Sequence, residues 1–136
     1  MSTHNAKAGL LFVSISVVLV SIAQLLLKIG ATNAVVLPEF TALLDAITAN
    51  NLLTIGLPIA LGLLFYLASM FVWLRALGEL PLSIAYPLLS LSYPLVYIAA
   101  LVLPVFHETL STTRVVGLLF TIAGIALLAP RATKTP

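Results

Sequence analysis

Four apolar stretches, each near the length a helix needs to cross a bilayer, take up most of this chain: Ala8–Ile29, Leu52–Leu77, Ser83–Val105 and Arg114–Ala129. A spanning helix requires about 20 mainly apolar residues for a hydrocarbon layer about 30 Å thick. Only the fourth stretch is short by that measure. The chain is 62% hydrophobic and 7% charged, against the ~25% charged residues of soluble domains, so a water-facing globule is the wrong expectation. An all-α membrane protein with four transmembrane helices is predicted, as one integral domain over residues 1–136. The first stretch has no basic segment before a short apolar core and no small-residue cleavage site, and it runs through Lys28. It reads as a retained span rather than a leader.

Composition removes several functional classes. The formal net charge is +2, and the basic residues stand at span ends rather than in a cluster, so nucleic acid is not an expected partner. There is no cysteine, which excludes disulfides, thiol catalysis and thiolate metal sites. His4 and His107 are too far apart for ligand spacing, and neither a metal nor another cofactor is expected. Phosphate-cradling glycine loops and nucleophile elbows are absent, so the chain is not expected to be an enzyme. Lys7, Arg75, Arg131 and Lys134 fall on the side of the termini, whereas Lys28 and Arg114 share the other side with Glu39, Asp45 and Glu108. Cytoplasmic loops are enriched in lysine and arginine. This bias favours cytoplasmic termini by a margin narrow enough to leave insertion both ways round open.

The connection Thr32–Asn51 carries Phe40, Leu43, Leu44 and Ile47 at helical spacing, with Pro38 near its start and Asn50 and Asn51 able to end it. A short interfacial helix between the first and second spans is predicted. It serves either as a collar sealing the exit of the first span or as a surface facing substrate. The connection Gly78–Pro81 is a tight turn, which makes the second and third spans antiparallel neighbours.

Polar residues inside the spans carry the functional information, because each is costly in hydrocarbon unless it faces protein, water or a polar ligand. In the first span Ser14, Ser21 and Lys28 repeat every seven residues and Gln24 shares their face. Lys28 reads either as a snorkelling anchor or as the cation at the end of a polar path. In the third span Ser83, Tyr86, Ser90, Tyr93 and Tyr97 step by three or four residues beside Pro87 and Pro94. A proline frees a backbone carbonyl that lipid cannot satisfy, so this face suggests a polar cavity. Helix–helix hydrogen bonding with an aromatic belt is the alternative.

Glu108 stands before a helix start in which Ser111, Thr112 and Thr113 are candidate caps. It could hold Arg114 or a helix end, a cationic group on a substrate, or the Lys28 of a partner. Arg75 closes the second span, either as an ordinary anchor or as a phosphate ligand. Gly117, Thr121 and Gly124 form a small-residue stripe on the fourth span. Such stripes let helices approach closely in lipid, so oligomerisation through this face is expected, two copies giving eight spans.

These residues together carry a family resemblance over nearly the whole chain. The segment Gly117–Gly124 resembles the fourth-helix glycine motif of the small multidrug resistance superfamily. Within it, the run Ile84–Tyr93, the pair His107 and Glu108, and Ala23 and Gln24 followed by Lys28 resemble the two small subunits of the flippase for aminoarabinose linked to undecaprenyl phosphate. The predicted interfacial loop and the Tyr66–Trp73 region also resemble one of those subunits. Drug-exporting members of the superfamily carry a glutamate near the middle of the first helix, whereas Ala8–Ile29 contains no carboxylate. Gln24 and Lys28 suit an anionic or polar ligand instead.

The resemblance implies a transporter that moves a polyprenyl-phosphate-linked sugar, aminoarabinose or a related amino sugar, across a bacterial inner membrane. It also implies work in pairs, as a homodimer or as a heterodimer with a related small subunit. Gln24, Lys28, Arg75, Tyr86, Ser90, Tyr93 and Glu108 are the expected substrate-binding residues. Two rival readings stand beside it. One is an exporter of small cationic or zwitterionic metabolites. The other is a non-transporting membrane subunit that positions a glycosyltransferase acting on the lipid carrier.

Overall fold

The computed structural model describes residues 3–34 and 52–128. Helix α1 spans Thr3–Ala34 and α2 spans Leu57–Leu77, the latter entered through a π-helical turn at Leu52–Gly56. The third span is divided into α3, Leu82–Leu89, and α4, Ser92–Val102. A short 3-10 turn, Pro104–Phe106, leads on towards α5, Thr112–Leu128. Lys7–Asn33, Leu52–Leu77 and Leu82–Val102 are each long and apolar enough to cross a bilayer, with mean hydropathies of 2.6, 2.2 and 1.6, and Thr112–Leu127 is a shorter apolar helix. The chain is thus an all-α, multi-pass membrane protein with four spans, and no strand occurs among the described residues. Most of the interfacial helix predicted within Thr32–Asn51 lies outside the described residues.

The principal packing is between α1 and α2, and glycine permits it. A methyl group on Gly62 would lie 2.8 Å from Leu27 Cγ and 3.1 Å from the Ala23 carbonyl oxygen, and one on Gly30 would lie 2.5 Å from Ile59 Cγ1. All are shorter than the roughly 3.5–4.0 Å of favourable carbon contacts. The backbones approach closely only because these positions carry no side chain. Midway along the seam the buried Ser16 hydroxyl donates to the Ser69 carbonyl oxygen at 2.9 Å. At the far end Pro58 has no N–H to offer the carbonyl four residues back. That carbonyl, of Thr54, accepts from the Asn33 side-chain amide at 2.9 Å instead.

The turn after α2 behaves as expected. Glu79 N–H and Leu80 N–H both donate to the Ala76 carbonyl, at 3.0 and 2.9 Å, and Pro81 then stands at the cap position of α3 in an extended conformation. The Trp73 and Tyr86 rings meet edge-to-face at 5.4 Å, which places the second and third spans side by side. Val13, Ala76, Leu80 and Ala85 form a small core at this end, with Phe12, Val17, Leu77 and Leu88 against it. Elsewhere large apolar side chains such as Leu63, Phe71 and Phe120 face outward, as lipid requires.

The third span breaks at Ser90 and Leu91, and Pro94 explains why there. Its ring opposes the carbonyl four residues earlier and supplies it no donor, so the Ser90 carbonyl accepts from Tyr93 N–H at 3.2 Å in a tighter turn. Restarting the helix at Ser92 puts Pro94 in the first turn of α4, where its missing N–H costs nothing.

Candidate functional site

One end of the bundle holds an ionic cluster assembled from both ends of the sequence. Lys28 lies near the C-terminal end of α1, which directs its side chain towards the segment joining α4 to α5. There the 3-10 turn ends at His107, which adopts a left-handed conformation with φ 46° and ψ 32°. It is the only non-glycine residue with positive φ among the described residues. Histidine tolerates that region better than most residues, and the turn it makes brings Glu108 back over α1.

The Glu108 carboxylate uses both oxygens. Oε1 accepts from the Lys28 ammonium and Oε2 from the Arg114 guanidinium at the start of α5. The buried Phe106 ring lies 5.0 Å from the Lys28 nitrogen, within the range of a cation–π contact. The hydrogen bonds from Lys28 and then Arg114 hold the Glu108 carboxyl below its ordinary value. The Glu108, Lys28 and Arg114 side chains are 17%, 33% and 56% exposed, so the cluster is shielded from one side and reachable from the other. Within the single chain Glu108 therefore pairs with Arg114, one of its expected partners, and with its own chain's Lys28 rather than a partner's. The Ser111 carbonyl accepts the first bond of α5, from Val115 N–H at 3.0 Å, while Ser111 N–H reaches the Tyr97 hydroxyl at 3.3 Å. Tyr97 thereby ties the cluster's loop to the third span.

Gln24 is half-buried one turn from Lys28 and makes no side-chain hydrogen bond among the described residues. Ser14 and Ser21 point their hydroxyls back to the carbonyls of Leu10 and Val17, at 2.9 and 2.7 Å. The polar stripe of α1 is thus satisfied locally at its serines and available at Gln24. Arg75 lies at the last turn of α2, at the opposite end of the antiparallel pair from Lys28, and the structure does not bring it to the ionic cluster.

The tyrosine face of the third span divides at the helix break. Tyr86 and Ser90 line a cavity of about 290 Å³ against Phe120, Thr121 and Gly124 of α5. Tyr93, beyond the break, is 60% exposed and lines neither this cavity nor the next. A second cavity, of about 270 Å³, lies near mid-span between α1, α2 and α3 and is lined by Ser16, Tyr66, Ser69, Trp73 and Leu89. The Trp73 indole nitrogen is buried with no hydrogen-bond partner. Sequence reasoning misses the Ser16–Ser69 bond, this indole and Phe106. A lone tryptophan inside a span is the one signal that could have drawn attention to any of them. Gly117 and Gly124 border open space within the single chain, and a methyl group added at either would meet nothing within 4 Å.

No protein-family model and no solved structure matches the chain. Known proteins do match it over nearly its whole length. It is 41% identical over 132 residues to a protein of Proteus mirabilis, covering 95% of this chain and 97% of that one. It is 46% identical over 127 residues to one of Erwinia tasmaniensis, covering 93% and 98%, and 43% identical over 129 residues to one of Escherichia coli K12, covering 93% and 97%. All three bear the name "probable 4-amino-4-deoxy-L-arabinose-phosphoundecaprenol flippase subunit ArnF". Identity at this level along four spans and their connections leaves one conclusion: the chain belongs to the ArnF family of flippase subunits.

Proposed function

We propose that this chain is a subunit of a flippase that carries aminoarabinose linked to undecaprenyl phosphate across a bacterial inner membrane. The observation that carries the reading is the likeness to the ArnF subunits over at least 93% of the chain. The geometry supplies matching chemistry. A phosphate cannot cross hydrocarbon as a bare ion, and Lys28 and Arg114 offer two adjacent cations at one end of the bundle. In this reading Lys28 takes the phosphate, Gln24 hydrogen-bonds the head group one turn deeper, and Tyr86 and Ser90 line its path along the third span. Arg75 is assigned to the far end of that path, beyond Tyr86, and Tyr93 to the half nearer Lys28, while the prenyl tail stays in lipid throughout.

Four spans enclose little space, so the working unit is a pair, either two copies or this chain with a related small subunit. The small-residue stripe of exposed Gly117 and half-buried Thr121 and Gly124 is the assigned packing face. Opposite orientations of the two members would let one cavity open alternately to each side, and the narrow charge bias permits them; cytoplasmic termini are assigned to the more frequent orientation. A cation exporter is less well supported, because the first span lacks a carboxylate and Glu108 is already held by two cations.

The test is transport of the lipid-linked amino sugar in vesicles, by the purified chain alone and with a related second subunit. Lys28→Met is expected to abolish transport with expression and pairing intact. Lys28→Arg should be partly tolerated, since it keeps charge but changes shape. Full transport by Lys28→Met would remove Lys28 from the site. Absence of transport in both arrangements would remove the function.

A further inference from the structure

We infer that Glu108 is the residue that selects a head group bearing a cationic amine, and that it does so by exchanging ion pairs. The inference rests on the proposed handling of a lipid-linked amino sugar and adds to it how the sugar is recognised.

The resting cluster already has the form of a bound ligand. Each oxygen of the Glu108 carboxylate accepts from one cation, Lys28 on one side and Arg114 on the other. The two unesterified oxygens of a phosphodiester present the same pair of acceptors, and both Lys and Arg bind them well. A phosphodiester arriving here therefore takes the two cations by displacing Glu108. That displacement leaves a carboxylate, shielded on one side, without its partners, which is costly unless a new cation arrives. An amino sugar esterified to the same phosphate brings that cation. The phosphate then pairs with Lys28 and Arg114 while the ammonium pairs with Glu108, so no charge is stranded. A neutral sugar strands Glu108, and a free amine with no phosphate cannot displace it. The Phe106 ring keeps Lys28 in place during the exchange, because its contact with the ammonium does not depend on which anion is bound.

The loop geometry fits a residue that must change partners. Glu108 follows the left-handed His107 in a connection that is neither α4 nor α5. It is attached to the bundle through its side chain and through the Tyr97–Ser111 bond rather than by helical backbone.

The experiment measures binding of two lipids to the purified chain in nanodiscs, read by fluorescence of Trp73. One is a short-chain polyprenyl phosphodiester of aminoarabinose. The other is the same molecule N-acetylated, so that size and phosphate are kept and the amine loses its charge. The unaltered chain should prefer the free amine about twofold to fivefold, the range expected for partly exposed ion pairs. Glu108→Gln should lose that preference, binding the free amine more weakly and the acetylated lipid more tightly, since nothing now competes for the two cations. The gain on the acetylated lipid also shows that the variant is folded. Glu108→Asp, shorter by one methylene but still charged, should keep a reduced preference. Glu79→Gln, the same charge change at the other end of the bundle, should keep the full one.

A preference that survives Glu108→Gln, with both lipids still bound, overturns the selector and leaves the flippase reading standing. Loss of both lipids in Glu108→Gln, with a native circular dichroism spectrum, assigns Glu108 a supporting role and likewise overturns it. Failure of the unaltered chain, with or without its second subunit, to bind either lipid overturns the functional reading and the selector with it.

Discussion

Replacing Gly62 with alanine adds one methyl group to the seam between α1 and α2, and its cost can be worked from the distances. The new carbon would lie 2.8 Å from Leu27 Cγ, 3.0 Å from Leu27 Cδ2 and 3.1 Å from the Ala23 carbonyl oxygen. Leu27 can rotate away in part, but the Ala23 oxygen belongs to the backbone of α1 and moves only with the helix. Overpacking of this kind costs about 1–3 kcal/mol, offset by up to about 1 kcal/mol for exchanging glycine for a better helix former. Taking about 1 kcal/mol from that range leaves a net loss of up to about 2 kcal/mol. Unfolding by sodium dodecyl sulfate in mild detergent micelles, followed through the single tryptophan, measures it. Leu27→Ala in the same chain should recover part of the loss, a coupling that a double-mutant cycle isolates. Gly124→Ala is the counterpart, since its methyl meets nothing within 4 Å in the single chain and should leave the fold as stable or more so. A Gly62→Ala chain more stable than the parent, or one indifferent to Leu27, would refute the glycine seam.

The remaining expectations concern charge, path and assembly. Because the Glu108 carboxyl is held below its ordinary value, it stabilises the fold fully above the ordinary carboxylate range, and this contribution fades as pH falls through the lowered value. Thermal midpoints measured downward from neutral pH should therefore hold steady and then fall at acid pH, with a smaller fall in Glu108→Gln; identical profiles would show that the pairs do not stabilise the fold. Single cysteines, in a chain that has none, should react with a water-soluble maleimide at positions 86, 90 and 93 and not at 88 and 95, whereas equal labelling round the helix would mean a different face lines the path. Gly124→Leu should reduce cross-linked dimer without changing single-chain unfolding, and unchanged dimer would move the interface away from α5.

Span number and helical class were legible because they follow from hydropathy and length, quantities that a bilayer reads almost directly. The α1–α2 seam was not. The small-residue pattern drew attention to Gly117 and Gly124, while the glycines that admit a neighbouring helix within the chain are Gly30 and Gly62. Nothing in a single sequence tells a glycine that faces its own chain from one that faces lipid or a partner, since the signal is the same small residue in the same apolar run. The Ser16–Ser69 bond was hidden for a related reason. One member of the pair contributes its hydroxyl and the other only a carbonyl, and every residue has a carbonyl.

The third span shows where periodicity stops being a guide. Ser83, Tyr86, Ser90, Tyr93 and Tyr97 share a face only if one helix runs through them, and Pro94 prevents that by moving the break to Ser90 and Leu91. After the break the row divides: Tyr86 and Ser90 border a cavity, Tyr93 leaves it, and Tyr97 turns to the loop that carries Glu108. The same loop explains why the ionic cluster was legible in part. Glu108 and Arg114 are six residues apart, near enough for sequence to suggest the pair, whereas Lys28 is eighty residues away and joins them only because α1 returns its C-terminal end to the α4–α5 connection. Helix α1 thus fixes one cation, α5 the other, and the left-handed turn at His107 sets the anion between them. Three independently anchored elements meeting at one carboxylate make the cluster sensitive to any shift of the spans relative to one another, which is what the proposed function asks of the point where a charged head group is held.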